Sequence, residues 1–401
     1  HLPGAAKDRQ LAVLYRRYAK KGSFPPLEKV HRLCCLPAAH PPLLRTLWVR
    51  LLARLLGEFF MPKKKDLSQR LEAVIKTLIP QHGQNADDLG PMMRAIKAVH
   101  SATDHTSTTP EDLEHQRTAQ ELFARLVTPS IGIRNDALSV NNIPAEWVSL
   151  EHGHDRHHAV LYCHGGGYTC GSLEYAKGFG STLAAEGGVR VFCAAYRLAP
   201  ENRYPAALDD ALESYQYLLK KGYAAHQILL CGESAGGGLC AAVCIRARDE
   251  GAVRVAFQMP LYPMLDDRDT ESSRDNHGKV WNTRRNHMAW RLYLRGTDRA
   301  ALTPYAAPAR LEDFSGLPPA YSFVGEPFYA ETVHYFERLR AAGVPAQLDV
   351  YHCDIHAFDM MRPQDARSVE AAETFNRQFA YARAHYFAPQ READDGEGRV
   401  R

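Results

Sequence analysis

Short apolar runs, each followed by a turn signal and then by a helical period, recur along the middle and C-terminal parts of the chain. Ala159-Val160-Leu161-Tyr162-Cys163, Arg190-Val191-Phe192-Cys193-Ala194, Gln227-Ile228-Leu229-Leu230-Cys231, Ala320-Tyr321-Ser322-Phe323-Val324 and Ala346-Gln347-Leu348-Asp349-Val350-Tyr351 read as strands, the third as a buried one. In the last run Asp349 alternates with apolar residues and is expected to face solvent. Residues 235–250 read as a helix whose apolar side carries Leu239, Ala242, Val243 and Ile245. Further helices are expected to start near Ala206, behind a loop stiffened by Pro200 and Pro205, and to span residues 330–342 up to Gly343. Strands alternating with helices place this part of the chain in the α/β class.

Residues 1–125 show few strand signals and several helical ones, at 8–20, 42–60, 67–78, 91–99 and 110–127. A polar linker over 101–109 precedes Thr109-Pro110-Glu111-Asp112, a good helix start. The expected organisation is a helical N-terminal region over 1–130, an α/β region over 131–387 with an insertion at about 266–300, and a polar, disordered tail over 388–401. No internal repeat is present. The strongest apolar stretch, 43–61, is broken by Arg45, Arg50, Arg54 and Glu58 near helical spacing, so it reads as an amphipathic helix and not as a membrane span of ~20 apolar residues. Packing within the protein is favoured for it over contact with a lipid surface. The chain opens at His1 and not at Met, which leaves a trimmed leader open.

Two glycine-rich motifs carry chemistry. Gly232-Glu233-Ser234-Ala235-Gly236-Gly237 joins the third strand to the helix that follows it. A serine at a tight strand-to-helix turn sits on strained backbone, so its neighbours must be small. The helix N-terminus then faces a developing anion, and the N–H of Ala235 is the natural donor to it. Taken alone, such a motif also fits a tight turn with no chemistry. Upstream, His164-Gly165-Gly166-Gly167 directly follows the first strand. Three consecutive glycines weaken regular structure and make sense where the main chain itself faces a ligand, so Gly166 and Gly167 are expected oxyanion donors. The bland alternative is a flexible surface loop. His164 reads as a brace for the loop and not as a general base.

These residues, together with Tyr196-Arg197-Leu198-Ala199-Pro200-Glu201, Val324-Gly325-Glu326-Pro327-Phe328 and His356-Ala357-Phe358, resemble the hormone-sensitive-lipase-like branch of the α/β-hydrolase superfamily over residues 135–387. The resemblance implies a mostly parallel eight-stranded sheet flanked by helices, a helical cap, and carboxylic-ester hydrolysis without metal or organic cofactor. It also implies that the 266–300 insertion completes the cap, with Trp281, Trp290 and Tyr293 near the acyl or alcohol pocket. The chain departs from the family at Glu326 and Glu233, where Asp is usual.

The fold's order of nucleophile, acid and base gives Ser234, Glu326 and His356. Glu326 lies just past a strand end, and Glu can serve as the orienting acid on this fold. Among rival acids, Glu331 reads as a loop brace, Asp349 as solvent-facing, and Asp354 as too close in sequence to His356. His352 lacks the Ala-Phe context of His356, and the His-rich stretch from His152 to His158 is expected to be solvated. For Tyr196 and Glu201, support of the glycine loop and simple loop packing both stand open. The expected function is a serine carboxylesterase for short- to medium-chain esters, acting through an acyl-enzyme on Ser234. The alternatives are an amidase or deacetylase with the same triad, a ligand-binding protein on a hydrolase scaffold, and a lipase working at a membrane surface through the 43–61 helix.

Composition narrows the partners. A length of 401 residues suffices for one large core plus a cap. A net charge of +3 with one tight basic run, Lys63-Lys64-Lys65, gives no nucleic-acid signature. The nine cysteines are odd in number and have no zinc spacing; Cys163, Cys193 and Cys231 fall in core strands, and Cys240 and Cys244 share a helix face. That usage suits a reducing cytoplasm. The expected partner is a small-molecule ester.

Overall fold

In the computed structural model, residues 113, 116, 117, 120, 132–251, 255–278 and 280–387 are described. Their strands are β1 (Ile133–Val140), β2 (Ile143–Leu150), β3 (Asp155–Cys163), β4 (Val189–Ala194), β5 (Ile228–Glu233), β6 (Phe257–Leu261), β7 (Ala320–Val324) and β8 (Ala346–Val350). They form one sheet in the order β1-β2-β4-β3-β5-β6-β7-β8. The pairs β1–β2 and β2–β4 are antiparallel, and every other pair is parallel.

The antiparallel end begins with a hairpin. Asn141 and Asn142 turn it at φ of 48° and 67°, left-handed backbone that asparagine tolerates and that matches the twist of the flanking strands. Towards the middle the sheet is covered on both faces. Strands β5, β6 and β7 are buried at every position, which is why their sequences are nearly continuous apolar runs.

The helices are α1 (Leu173–Gly187), α2 (Ala206–Lys220), α3 (Ala235–Asp249), α4 (Thr283–Tyr293), α5 (Tyr329–Ala341), α6 (Phe358–Met361) and α7 (Ala366–His385). Each parallel crossover needs such an element to return the chain to the same edge. Helix α1 packs on β2 and β4 and against α7, whereas α2 packs against α3, which lies on β5 and β6. The sequence predicts an amphipathic α3, but its residues from Ala235 to Ile245 are buried without a break. Glycine, alanine and cysteine on its remaining sides leave room for neighbours to close around it.

Every parallel strand that leads into the site ends at the same edge of the sheet. The glycine loop leaves β3, Ser234 leaves β5, Glu326 leaves β7 and His356 follows β8. Ligands bind at this edge in open α/β sheets. One histidine departs from expectation. His158 is buried on β3, its Nδ1 2.6 Å from Asp155 Oδ2 and its ring stacked on Phe387. A carboxylate three residues away supplies the polar partner that burial demands.

The chain divides into two units, His1–Asp104 and His105–Arg401, and all described residues belong to the second. Of the helix expected over 110–127, Leu113, Gln116, Arg117 and Gln120 are described and helical. The remaining N-terminal helices, the amphipathic 43–61 segment, the lysine run, the 101–109 linker and the 388–401 tail lie outside the described residues.

The start of α3 touches the end of β3 backbone to backbone. A Cβ on Gly236 would lie 2.0 Å from the Cys163 carbonyl oxygen and 2.5 Å from that of His164. Gly236→Ala is therefore expected to destabilise the fold by about 2–4 kcal/mol, because two main-chain segments would have to part. Urea unfolding of the variant beside the wild type measures it, and an unchanged midpoint would contradict the contact.

Candidate active site

Ser234 occupies the turn between β5 and α3 at φ 58° and ψ −121°. A non-glycine residue held there costs ~1–3 kcal/mol, so the surroundings must hold it in place. They do so through its own main chain. Its N–H donates to the Leu261 carbonyl at 3.0 Å, and its carbonyl accepts from Gly238 N–H at 3.0 Å and Met264 N–H at 2.9 Å. The result is a hydroxyl aimed at His356, with Nε2 2.8 Å from Oγ.

His356 stands on the loop after β8. That loop is fixed to the end of β7 by Tyr351 N–H donating to Val324 and by Glu326 N–H donating to Cys353, both at 2.9 Å. Three aromatic rings surround the imidazole: Phe328 at 4.8 Å, Tyr262 at 5.2 Å and Trp281 at 5.9 Å between centroids. Burial, and secondarily the positive charge of Arg285, lower its pKa to about 3. The ring is neutral at pH 7, and Nε2 can accept the serine proton once Nδ1 carries the ring hydrogen.

The structure brings Ser234 and His356 together but does not bring the Glu326 carboxylate to them. Glu326 opens a short 3-10 turn, Glu326–Phe328, with Pro327 next in line, and its side chain is exposed. No carboxylate among the described residues hydrogen-bonds His356, whose one hydrogen bond is to Ser234. Glu326, the acid expected from the sequence, stands beside the histidine loop with its side chain exposed. Of the rivals, Asp354 is also exposed. Glu331 is buried and accepts from Leu265 N–H at 2.7 Å and Asp266 N–H at 3.2 Å, bracing the loop after β6. Asp349 accepts from Tyr321 O–H at 2.9 Å on β7 and is half-buried rather than solvent-facing.

The glycine loop folds over the elbow. Gly166 and Gly167 have φ of 119° and 62°, and Gly166 O accepts from the N–H groups of Thr169 at 3.1 Å and Cys170 at 2.9 Å. The N–H groups of Gly166 and Gly167 themselves reach no acceptor among the described residues. Ala235 is the first residue of α3, where a helix leaves N–H groups unpaired. His164 is a brace: Nδ1–H donates to Gly165 O at 2.7 Å, and the ring stacks on Tyr196 at 4.2 Å. Burial lowers its pKa to about 4. Tyr196 O–H donates to His164 O at 2.6 Å, which supports the loop from the neighbouring segment.

Sequence reasoning noted Glu233 only as a departure from a family pattern. In the structure it is a strap, accepting from Gly165 N–H and from Tyr162 O–H, each at 2.5 Å. Its place immediately before Ser234, at the end of a buried strand, was the available signal. Trp281 closes the other side. Its ring lies 2.9 Å from where a Cβ on Gly167 would be, and it also faces Phe328 and His356. Tyr168 stacks on Tyr293 of α4 at 3.9 Å, tying the insertion to the glycine loop. Such an array can activate a hydroxyl, receive a carbonyl between Oγ and main-chain N–H groups, and shuttle one proton. Among the described residues no group of three His, Cys, Asp or Glu is placed to hold a metal ion, and no helix is long and apolar enough to cross a membrane.

Comparison with known proteins matches residues 160–360 to a family described as alpha/beta hydrolase fold. The chain is 30% identical over 298 residues to the acetyl-hydrolase of Streptomyces hygroscopicus, covering 71% of this chain and 95% of that protein. Among solved structures, an esterase from the bacterial hormone-sensitive lipase family superimposes with a TM-score of 0.64 at 29% identity, over 75% of this chain and 99% of that one. A bacterial heroin esterase does so with a TM-score of 0.65 at 28% identity, over 73% and 98%.

Burial raises the Glu233 pKa to about 7, against 4.5 for an ordinary glutamate. The folded state therefore holds this proton more tightly than the unfolded chain does. The corresponding stability is complete below about pH 4.5 and is lost as pH rises through about 7. Asp359, raised by burial to about 6 from 3.8, acts in the same direction over a lower window. Stability measured by denaturant between pH 5 and 8 is expected to fall more steeply in the wild type than in Glu233→Gln, and parallel profiles would contradict the burial of an ionisable strap.

Proposed function

The chain belongs to the α/β-hydrolase fold family, in its hormone-sensitive-lipase branch, and is a carboxylic ester hydrolase; from that premise we propose that it acts through an acyl-enzyme on Ser234 and prefers esters of short to medium acyl chains. The observation that carries this reading is the 2.8 Å contact between His356 Nε2 and Ser234 Oγ, at a strained elbow roofed by unengaged glycine N–H groups. His356 takes the Ser234 proton as Oγ attacks the ester carbonyl. The carbonyl oxygen becomes an oxyanion held by the N–H groups of Gly166, Gly167 and Ala235. Collapse breaks the bond to the alcohol, which leaves with the proton from His356. Water then attacks the acyl-enzyme by the same route and releases the acid.

Glu326 is proposed as the acid that orients His356 in the reacting complex. Support comes from its main chain, whose N–H bonds the carbonyl of Cys353 three residues before His356. Catalytic contacts are commonly loose before substrate binds and tighten with it. The acyl-length preference is supported by Trp281, which spans from Gly167 to His356 and so walls the space beside the reacting carbonyl. On this reading the 266–300 insertion is the part of the cap that sets pocket size. The similar protein named as an acetyl-hydrolase is consistent with a small acyl group.

Hydrolysis of p-nitrophenyl esters from acetate to palmitate tests these points. Ser234→Ala should fold and lose about 10⁴-fold or more in kcat; wild-type turnover in that variant would sink the acyl-enzyme. Glu326→Ala should lose ~10²–10⁴-fold, with Asp354→Asn close to wild type. A Glu326→Ala loss of only a few-fold would mean that serine and histidine work without an acid. Trp281→Ala should raise kcat/KM for octanoate relative to acetate by about tenfold or more, as removing a pocket wall does. An unmoved chain-length profile would place the limit elsewhere.

A further inference from the structure

Arg117 lies outside the 131–387 segment that carries the motifs, yet its side chain reaches the back of the glycine loop. Nε donates to Thr169 O at 2.8 Å, and Nη2 donates to Ala199 O at 2.8 Å. Nη1 and Nη2 also hold the two Glu201 carboxylate oxygens, at 2.9 Å and 2.8 Å. Thr169 is the residue whose N–H and hydroxyl both donate to Gly166 O. Ala199 N–H in turn donates to Tyr168 O at 2.9 Å. One guanidinium thus closes a ring through two loop segments, each of which is already bonded to the glycine loop. A planar fork of five donors can satisfy two carbonyls and a carboxylate together, and an ammonium cannot reproduce that geometry.

We propose that Arg117 is a positioning residue for acyl transfer: by clamping Thr169 and Ala199 it keeps the N–H groups of Gly166 and Gly167 aimed at the reacting carbonyl oxygen. This rests on the reading of those two glycines as oxyanion donors. Exposure argues for a kinetic role over a stabilising one. The Glu201 side chain is 55% exposed and that of Arg117 27%, and ion pairs so open to water contribute little to folding. A displaced oxyanion loop, in contrast, is costly in rate, since ~1 Å of misplacement loses on the order of 100-fold. The guanidinium also holds the Glu201 carboxyl below the ordinary glutamate range, in keeping with a formed ion pair.

The test uses the full chain with Arg117→Met, Arg117→Lys and Glu201→Gln. It compares p-nitrophenyl butyrate kinetics, the inhibition constant of an alkyl trifluoromethyl ketone, which forms an oxyanion on the serine, and Tm. The expected result for Arg117→Met is a kcat lower by about 10–100-fold with KM little changed, inhibitor affinity weakened by a similar factor, and Tm within a few degrees of wild type. Arg117→Lys should recover part of the loss, and Glu201→Gln should lose less than Arg117→Met. Wild-type kcat and inhibitor affinity in Arg117→Met would overturn the clamp while leaving the acyl-transfer reading intact. Activity and Tm falling together in all three variants would show a merely structural residue and would also overturn it. A wild-type enzyme that neither turns over the ester nor binds the ketone would remove the oxyanion reading itself, and the clamp with it.

Discussion

The whole site depends on one close approach of main chain to main chain. The carbonyls of Cys163 and His164 press against Gly236, and a Cβ on Gly232 would lie 2.4 Å from Gly236 O and 2.7 Å from Cys163 O. That contact sets the distance between the end of β3 and the start of α3. It therefore sets where the glycine loop stands relative to Ser234. No side chain can mediate at such range, and this is the physical reason that glycine fills both places. Once the approach is made, Ser234 has no relaxed backbone available, and hydrogen bonds to Leu261, Gly238 and Met264 must hold it at positive φ.

The same constraint explains why so many buried polar groups crowd around a few loop residues. A loop of consecutive glycines has no side chains with which to hold itself, so its shape must be imposed from outside. Glu233 fixes Gly165, Tyr196 fixes His164, and Tyr168 anchors in α4 through Tyr293. Glu233 and Tyr196 bury polar groups that main-chain partners satisfy, and Tyr168 packs its ring on that of Tyr293. Glu331 does the corresponding work for the loop after β6, which in turn receives the Ser234 carbonyl through Met264. Polar burial is thus dense around these irregular segments, while the polar side chains buried on the strands, such as Gln258 and Ser322, bond to main-chain carbonyls.

Legibility in the sequence follows from how local each constraint is. Ser234, Gly166, Gly167 and the strands before them were readable because a strand, a turn and a helix succeed one another within a few residues. His356 was readable through its place after a strand and through family resemblance. Strand β6 was not, since Phe257-Gln258-Met259-Pro260-Leu261 contains a proline and a glutamine. The proline lacks an N–H, and the register pairs β6 with β7 only at Gln258 and Ala320. Strand β1 was hidden because Ile133–Val140 is a half-exposed edge strand with polar residues at several positions. Arg117 left no trace at all, because its partners lie 52 to 84 residues away and nothing in its own helix distinguishes it. An atypical strand composition hid β6 and β1, whereas reach across the fold hid Arg117.

The outward Glu326 carboxylate raises an energetic question that the geometry helps to answer. In the proposed acyl transfer His356 carries a positive charge, which the resting site opposes. Burial holds the imidazole pKa well below 6.5, at about 3, which disfavours the charged ring. Burial by aromatic neighbours and the nearby Arg285 charge both act in that direction. A carboxylate brought to Nδ1 opposes both contributions, since it bonds the ring hydrogen and offsets the arginine. Glutamate has one more rotatable bond than the aspartate usual at this position, so it can wait in water without disturbing the histidine. On the proposed mechanism, the aromatic enclosure that keeps His356 neutral is thus the same feature that calls for an acid once the proton moves.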